Sequence, residues 1–319
     1  MQEYNFKAKS KLKEFLGEKF IAVNAYVALI AILLIFIFIF KEAVPIFTDA
    51  EIQEEVTLEK MVNKQKYYEG RPAKYSWQPV SEIPKYSLLP LFVGTLKAAI
   101  IAMLFAAPLA VGAAIYTSEF APKRLREYIK PVIELLAGIP SVVLGFFALI
   151  VLATVIQNIF GLTFRLNALT AGIALGLAVI PIVFTIAEDA LSSVPGTLRE
   201  AAMAVGATPW QVSLTMVLPA AIPGISAGIV LGFGRAIGET MIVLMASGNA
   251  AVLSWSMTDS IRTFSATIAA ELAEVVFGSA HYSVLFFIGS LLFVFTFIIN
   301  LGGDLILSRL KTKLQGKTR

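Results

Sequence analysis

The 319-residue sequence has no cysteine and a single histidine, His281. The missing cysteine excludes disulfides, thiolate metal sites and cysteine nucleophiles, and one histidine cannot supply a histidine-rich metal site. Charged residues are also scarce, because Asp, Glu, Lys and Arg make up 15% of the chain, against about 25% in soluble domains. We therefore expect no metal centre and no ordinary soluble fold.

Two further features are missing. The P-loop pattern needs a glycine five positions before its Gly-Lys-Ser/Thr end, and ahead of Gly316-Lys317-Thr318 that position is Lys311. The net charge of +4 is modest, and the basic residues flank apolar runs instead of forming a stripe, so nucleic-acid binding is not expected. The sequence therefore predicts a chain that does not hydrolyse ATP itself.

Long apolar runs dominate what is present. The chain is 57% hydrophobic, with a mean hydropathy of +0.79, and about 20 apolar residues suffice for a helix to cross the hydrocarbon core. Runs of that kind cover residues 21–40, 88–117, 132–157, 166–187, 220–247 and 284–307. They predict an all-α, polytopic transmembrane bundle of six spans. The first run is longer than a signal-peptide core of roughly 7–15 residues and is interpreted as a retained anchor.

Basic residues set the expected orientation, because cytoplasmic flanks are enriched in Lys and Arg. They cluster in the N-terminal tail, in the segment after the second run and in the C-terminal tail. We expect a cytoplasmic tail at 1–20, a first transmembrane helix at 21–44, an extracytoplasmic loop at 45–87, a transmembrane domain at 88–307 and a cytoplasmic tail at 308–319. The basic N-terminal tail is expected to meet membrane lipid. His281 falls in an outer loop and is expected to be an ordinary surface residue.

The cytoplasmic segment 188–219 is too polar to span. Thr197 with Glu200, and Thr208 with Gln211 after Pro209 at N1, fit two capping boxes. Gly206 suits the position after a helix end, where φ is positive. The segment therefore predicts two short helices joined by a sharp turn, suited to docking a cytosolic partner.

Glu200-Ala201-Ala202, Gly206 and Leu218-Pro219 resemble the EAA loop of ABC importer permeases, and the resemblance extends over roughly residues 88–307. It implies the type-1 ABC importer permease fold. It also implies that segment 188–219 is the coupling loop, in which Glu200, Ala201, Ala202 and Gly206 contact an ATPase subunit.

Residues 231–241, Leu-Gly-Phe-Gly-Arg-Ala-Ile-Gly-Glu-Thr-Met, are similar to the PstC type of phosphate-importer permease. The sister PstA type usually continues after Thr240 with Ala-Pro. The likeness implies three partners: a PstA-like permease, a PstB-like ATPase dimer that holds ATP and magnesium, and a PstS-like phosphate-binding protein. It also implies that this chain binds no cofactor and lies in the cell inner membrane. Two alternatives stay open: a type-1 permease for molybdate or sulfate, and a secondary transporter unrelated to ABC systems.

Two charged residues fall within the fifth run, Arg235 and Glu239. Residues four apart share a helix face, and a charge inside the membrane is a functional-site candidate. A guanidinium can bind an oxyanion through two parallel hydrogen bonds, so both residues are predicted to line the substrate pathway. The alternative is a structural ion pair that holds helices together.

Small residues also recur in the fifth run, and small residues at such spacing let helices approach closely. We expect tight packing there, at an interface that a partner permease would cross. The glycines concerned are Gly224, Gly228, Gly232, Gly234 and Gly238. The outer loop 45–87 is expected either to help receive a binding protein or to serve as a passive cover.

Overall fold

Helices account for most of the computed structural model, which describes residues 2–67 and 72–314. Met1, residues 68–71 of the expected outer loop and residues 315–319 of the expected C-terminal tail lie outside that description. In chain order the helices are α1 Gln2–Ala43, α2 Pro45–Thr48, α3 Ala50–Glu55, α4 Leu58–Val62, α5 Leu89–Ile115, α6 Lys123–Ala137, α7 Ser141–Phe147, α8 Ala153–Phe160, α9 Ala168–Ser192, α10 Gly196–Ala204, α11 Pro209–Val212, α12 Leu218–Gly238, α13 Met241–Ala246, α14 Phe264–Glu271 and α15 Ala280–Leu314. Two short antiparallel strands, β1 Trp77–Gln78 and β2 Lys85–Tyr86, form a hairpin.

Three π-helical turns interrupt the helices. They cover Tyr116–Phe120, Ala148–Leu152 and Ser213–Val217. Each turn directly follows an α-helix in the chain: α5, α7 and α11 respectively. Such turns insert an extra residue into the helical repeat and often occur at functional sites.

Six helical segments among the described residues are long and apolar enough to cross a membrane. The prediction of an all-α bundle with six spans is therefore confirmed. The segments are Glu14–Thr48, Leu89–Phe120, Ser141–Phe160, Ala168–Ser192, Pro209–Gly238 and Ala280–Leu305. The chain is a multi-pass membrane protein.

The third span begins later than its apolar run suggests. The run at 132–157 is divided between α6 and the helices that follow, because the chain leaves the helix at Gly138 and restarts after Pro140. Proline has no amide hydrogen and disfavours helix in the residue before it. Residues 132–137 therefore complete the amphipathic helix α6, whose Ile129 and Ile133 pack on the core.

The fifth span is also interrupted. The run at 220–247 predicts one continuous helix, but α12 ends at Gly238 and Glu239 has an extended backbone, with φ −68° and ψ 134°. The Ser265 hydroxyl of α14 donates to the Glu239 carbonyl at 2.7 Å. The Ser265 hydroxyl thus satisfies a backbone carbonyl where α12 stops, and α13 begins two residues later, at Met241.

The helix α9 lies at the centre of the bundle. It packs along α5 on one side and α12 on the other, and its side chains Leu175, Val179, Val183 and Phe184 are fully buried. In contrast, no residue in the most apolar window of the first span is buried within the chain. The first span therefore adds little to the core and contacts mainly α15.

The described residues of the loop, 45–67 and 72–87, form a folded cap. Its Val56, Met61, Trp77 and Tyr86 are buried in a second apolar cluster, together with residues of α5, α14 and α15 such as Leu285. The cap therefore covers the end of the bundle opposite to α10 and α11.

Candidate functional site

The turn between α10 and α11 has the geometry that the sequence predicts at Gly206. Its φ is +92°, its amide donates to the Met203 carbonyl at 2.9 Å, and the Ala207 amide donates to the Ala202 carbonyl at 3.2 Å. This pair of bonds is a Schellman motif, which satisfies the last carbonyls of α10. The turn fixes α11 against α10, and we call the two helices the coupling hairpin.

One of the two expected capping boxes is present. Thr208 and Gln211 exchange side-chain-to-backbone bonds of 3.3 Å and 2.9 Å at the start of α11. The other prediction is wrong, since α10 begins at Gly196 with Pro195 as N-cap and no side-chain cap. Thr197 therefore lies inside the first turn of α10, one residue after the helix start, and not at the N-cap.

The hairpin presents a mixed surface to its surroundings. Glu200, Ala201 and Gly206 are exposed, whereas Ala202 is buried against the bundle. On the same hairpin, the side chains of Val205 and Trp210 are 86% and 60% exposed. Exposed apolar side chains are typical of surfaces that bind another protein.

Sequence reasoning missed the arginine that anchors the hairpin. Arg199 donates to both oxygens of Glu119, at 3.2 Å and 2.8 Å, and also to the backbone carbonyls of Leu191 and Val194. The Glu119 side chain is only 8% exposed. Arg199 directly precedes the Glu-Ala-Ala triplet, but its partner Glu119 is 80 residues away in the sequence, so the sequence offers no local signal for this ion pair.

Sequence reasoning also missed a second cluster of charged side chains, which joins α6 to α9. The Glu188 carboxylate is fully buried and accepts from Arg126, from Lys130 at 2.8 Å and from Ser192 at 2.8 Å. Hydrogen bonds to Asp189 and Glu188 raise the pKa of Lys130. Arg126 and Lys130 are one helical turn apart, which is the sequence signal for this contact.

The two charges of the fifth span do not form an ion pair with each other. Arg235 is exposed in the last turn of α12, and Glu239 is half-buried at the C-cap of that helix. Among the ion pairs of the described residues, none joins the two side chains. The alternative of a structural ion pair between Arg235 and Glu239 is therefore wrong, and their place on the substrate pathway stays a prediction.

The glycine stripe packs within the chain. A Cβ at Gly228 would lie 3.1 Å from Ile186, and one at Gly232 would lie 2.7 Å from Val183. Gly224 abuts Ala190 still more closely, so these three glycines admit α9 and leave no room for another helix. Gly234 faces Asn300 of α15, while Gly238 faces open space.

A third polar cluster lies under the cap. The carboxylate of Glu271 accepts from Trp77 Nε1 at 3.1 Å and 3.2 Å and pairs with His281 at 2.8 Å and with Arg262. Burial raises the pKa of Glu271, but the bond from His281 and the charge of Arg262 outweigh it, so the pKa is below its usual range. His281 is 13% exposed and is therefore no ordinary surface residue. A cavity of about 700 Å³ borders the cluster.

Residues 106–312 match the family described as the inner membrane component of binding-protein-dependent transport systems. The chain belongs to this family. The matched part of this permease contains α6 to α14 and most of α15, and therefore all of the coupling hairpin.

Curated relatives are similar over most of the permease. It is 37% identical to the probable ABC transporter permease protein YqgH of Bacillus subtilis, over 71% of this chain and 73% of that protein. It is also 37% identical to phosphate transport system permease proteins PstC. The Mesorhizobium japonicum protein aligns with 70% of this chain and 73% of its own length. For the Xylella fastidiosa protein the shares are 74% and 78%.

Solved structures show the same fold. One is the inward-facing MetNI methionine ABC transporter, with a TM-score of 0.53 at 19% identity over 70% of this chain and 94% of that chain. Another is a bacterial ABC transporter involved in the import of the acidic polysaccharide alginate, with a TM-score of 0.53 at 17% identity over 69% and 78%. The permease has the type-1 ABC importer fold, and the alternative of a secondary transporter unrelated to ABC systems is wrong.

Proposed function

We propose that this permease is one of two pore-forming subunits of an ATP-driven importer of inorganic phosphate. The observation that carries the proposal is the 37% identity to PstC permeases over 70–74% of the chain. The proposed cargo comes from those relatives.

The coupling hairpin supports docking of a separate ATPase subunit. Glu200 and Gly206 are exposed together with Val205 and Trp210, and the Schellman turn holds both helices in one orientation. A docking surface of fixed shape transmits displacement better than a mobile loop. ATP and magnesium belong to the docked ATPase, and the hairpin and both termini face the cytoplasm.

Arg235 is the proposed contact for the anion. A charge in the hydrocarbon core costs about 2.5–3.5 kcal/mol on insertion scales, and this guanidinium is exposed and not paired with Glu239. Exposure to a wet pathway at the interface with a PstA-like subunit removes that cost. Glu239, set at the helix break, lowers the local positive potential so that the bound anion can leave.

In the proposed cycle a PstS-like binding protein delivers phosphate at the cap. ATP binding closes the ATPase dimer, moves the coupling hairpins and opens the pathway toward the binding protein. Hydrolysis returns the pore to the inward-open state.

Uptake of labelled phosphate into proteoliposomes tests the proposal, using the assembled complex with its ATPase and binding protein. We expect uptake that needs ATP, and we expect Arg235→Gln to reduce it about 100-fold, since a charged hydrogen bond to an anion contributes roughly 1.5–3 kcal/mol. Arg124→Gln, at an exposed position on α6, is the matched control. Uptake of molybdate or sulfate in place of phosphate would assign another cargo, and normal phosphate uptake by Arg235→Gln would exclude the pathway role.

A further inference from the structure

The cytoplasmic end of α5 makes two different contacts with the coupling hairpin. Both come from the π-helical turn Tyr116–Phe120. Its Glu119 is bound by Arg199 of α10 through two hydrogen bonds, at 3.2 Å and 2.8 Å. Its Phe120 ring lies 5.7 Å from the Trp210 ring of α11, centroid to centroid. One turn of one pore helix therefore contacts both helices of the hairpin.

The ion pair between Arg199 and Glu119 is held more rigidly than most ion pairs between side chains. Arg199 and Glu119 are 23% and 8% exposed, and a guanidinium that meets both carboxylate oxygens is fixed in angle as well as in distance. The same guanidinium donates to the carbonyls of Leu191 and Val194 at 2.9 Å and 2.6 Å. These bonds stiffen the short connection from α9 to α10, which is the place where the hairpin would otherwise swing freely.

Two contacts on two helices constrain more than one contact does. A single contact at Glu119 would leave the hairpin able to pivot about it. The second contact, from Phe120 to Trp210, removes that rotation, so a displacement of the hairpin is passed to α5.

We propose that Glu119 and Phe120 are positioning residues that make α5 move with the coupling hairpin as one body during the nucleotide cycle. The proposal deepens the proposed function, on which it rests for the existence of an ATPase partner. It does not depend on which anion is carried.

Distance measurements by spin labelling test the proposal, because the chain has no native cysteine. Labels at Thr197→Cys, exposed on α10, and at Leu104→Cys, 66% exposed on α5, report on the two elements. The complex is assembled with a cysteine-free ATPase and measured without nucleotide and with ATP and vanadate. We expect one narrow distance that is the same in both states. A nucleotide-dependent distance in this otherwise native permease would overturn the proposal, whatever the variants do.

The double variant Glu119→Gln with Phe120→Leu separates coupling from folding. We expect its label distance to broaden and to change with nucleotide. Because Arg199 loses the carboxylate of Glu119, which is only 8% exposed, the melting temperature should also fall, so the distances are recorded well below the melting temperature of the variant. Phosphate carried per ATP hydrolysed should fall about two- to thirtyfold, the usual range for coupling residues. Glu127→Gln, at an exposed glutamate of α6, should match the native protein. A variant with native distances in both states would show that the turn only fills space.

The outcome can be read separately from the proposed function. If the native complex carries another anion, the distances still decide the question. If no ATPase co-purifies with the permease, both proposals fail together, and the failure is seen before any label is attached.

Discussion

The glycine stripe of α12 allows a graded test of how closely it must approach α9. Replacing one glycine by alanine adds a single methyl group at a position whose neighbours are known. A new Cβ at Gly224 would overlap the Cβ of Ala190, at Gly232 it would lie 2.7 Å from Val183, at Gly228 it would lie 3.1 Å from Ile186, and at Gly238 it would meet nothing within 4 Å. The order of damage should follow the order of distances.

The magnitudes follow from two opposing effects. Alanine favours a helix over glycine by about 0.8–1 kcal/mol, whereas overpacking a close interface costs about 1–3 kcal/mol. At Gly224 the opposing atom is attached directly to the backbone and cannot rotate away, so we expect a net loss of about 2 kcal/mol. Gly232→Ala should lose about 1 kcal/mol, because the stiff valine side chain of Val183 yields little, Gly228→Ala should be neutral, and Gly238→Ala should gain several tenths.

Thermal unfolding of the purified complex in detergent, followed by tryptophan fluorescence, measures these differences. A loss of about 2 kcal/mol lowers the melting temperature by roughly 3 °C for a chain of this size. Gly238→Ala serves as the control, since it makes the same chemical change with no neighbour. Equal melting temperatures for Gly224→Ala and Gly238→Ala would refute the close approach of α12 to α9.

Three further outcomes are expected. Glu188→Gln leaves Arg126 and Lys130 without their buried carboxylate, so the free energy of unfolding should fall by about 2–4 kcal/mol, and protease cleavage within α6 should accelerate. Glu271 has a lowered pKa in the folded protein, so its stabilising effect is complete above its ordinary pKa near 4.5 and is lost as the pH falls through the lowered value. Glu271→Gln should therefore lower the melting temperature at pH 7 and flatten its decline as the pH falls below that ordinary pKa, and an unchanged decline would assign that acid sensitivity to other groups. Gly206→Ala places a Cβ on a residue with φ +92°, which costs about 1–2 kcal/mol. The fraction of ATPase that co-purifies with the permease should decrease by more than this loss of stability alone would cause.

The sequence was sufficient for the bundle and for its docking turn. Long continuous runs with few charges predict membrane helices, and Gly206 occupies the one position of its turn where φ is positive. Thr208 and Gln211 cap α11 as their spacing predicts. These features are local, so a few neighbouring residues determine them.

The sequence was not sufficient where distant residues decide. Hydropathy cannot show that Ser265 meets the backbone at Glu239, so the break in the fifth span went unseen. The same limit hides the pairing of Arg199 with Glu119, which are 80 residues apart. It also conceals which helix occupies the groove of the glycine stripe, since spacing alone does not distinguish α9 from a helix of a second subunit.

Backbone contact between α12 and α9 has a consequence for how the molecule can change shape. With Gly224, Gly228 and Gly232 pressed on α9, and α9 packed along α5, sliding between these three helices would require their backbones to part. We therefore expect α5, α9 and α12 to move together. The chain leaves the helical path at residues 138–140 and 239–240, so bending is expected at those two places, and the second directly follows the turn of α12 that carries Arg235.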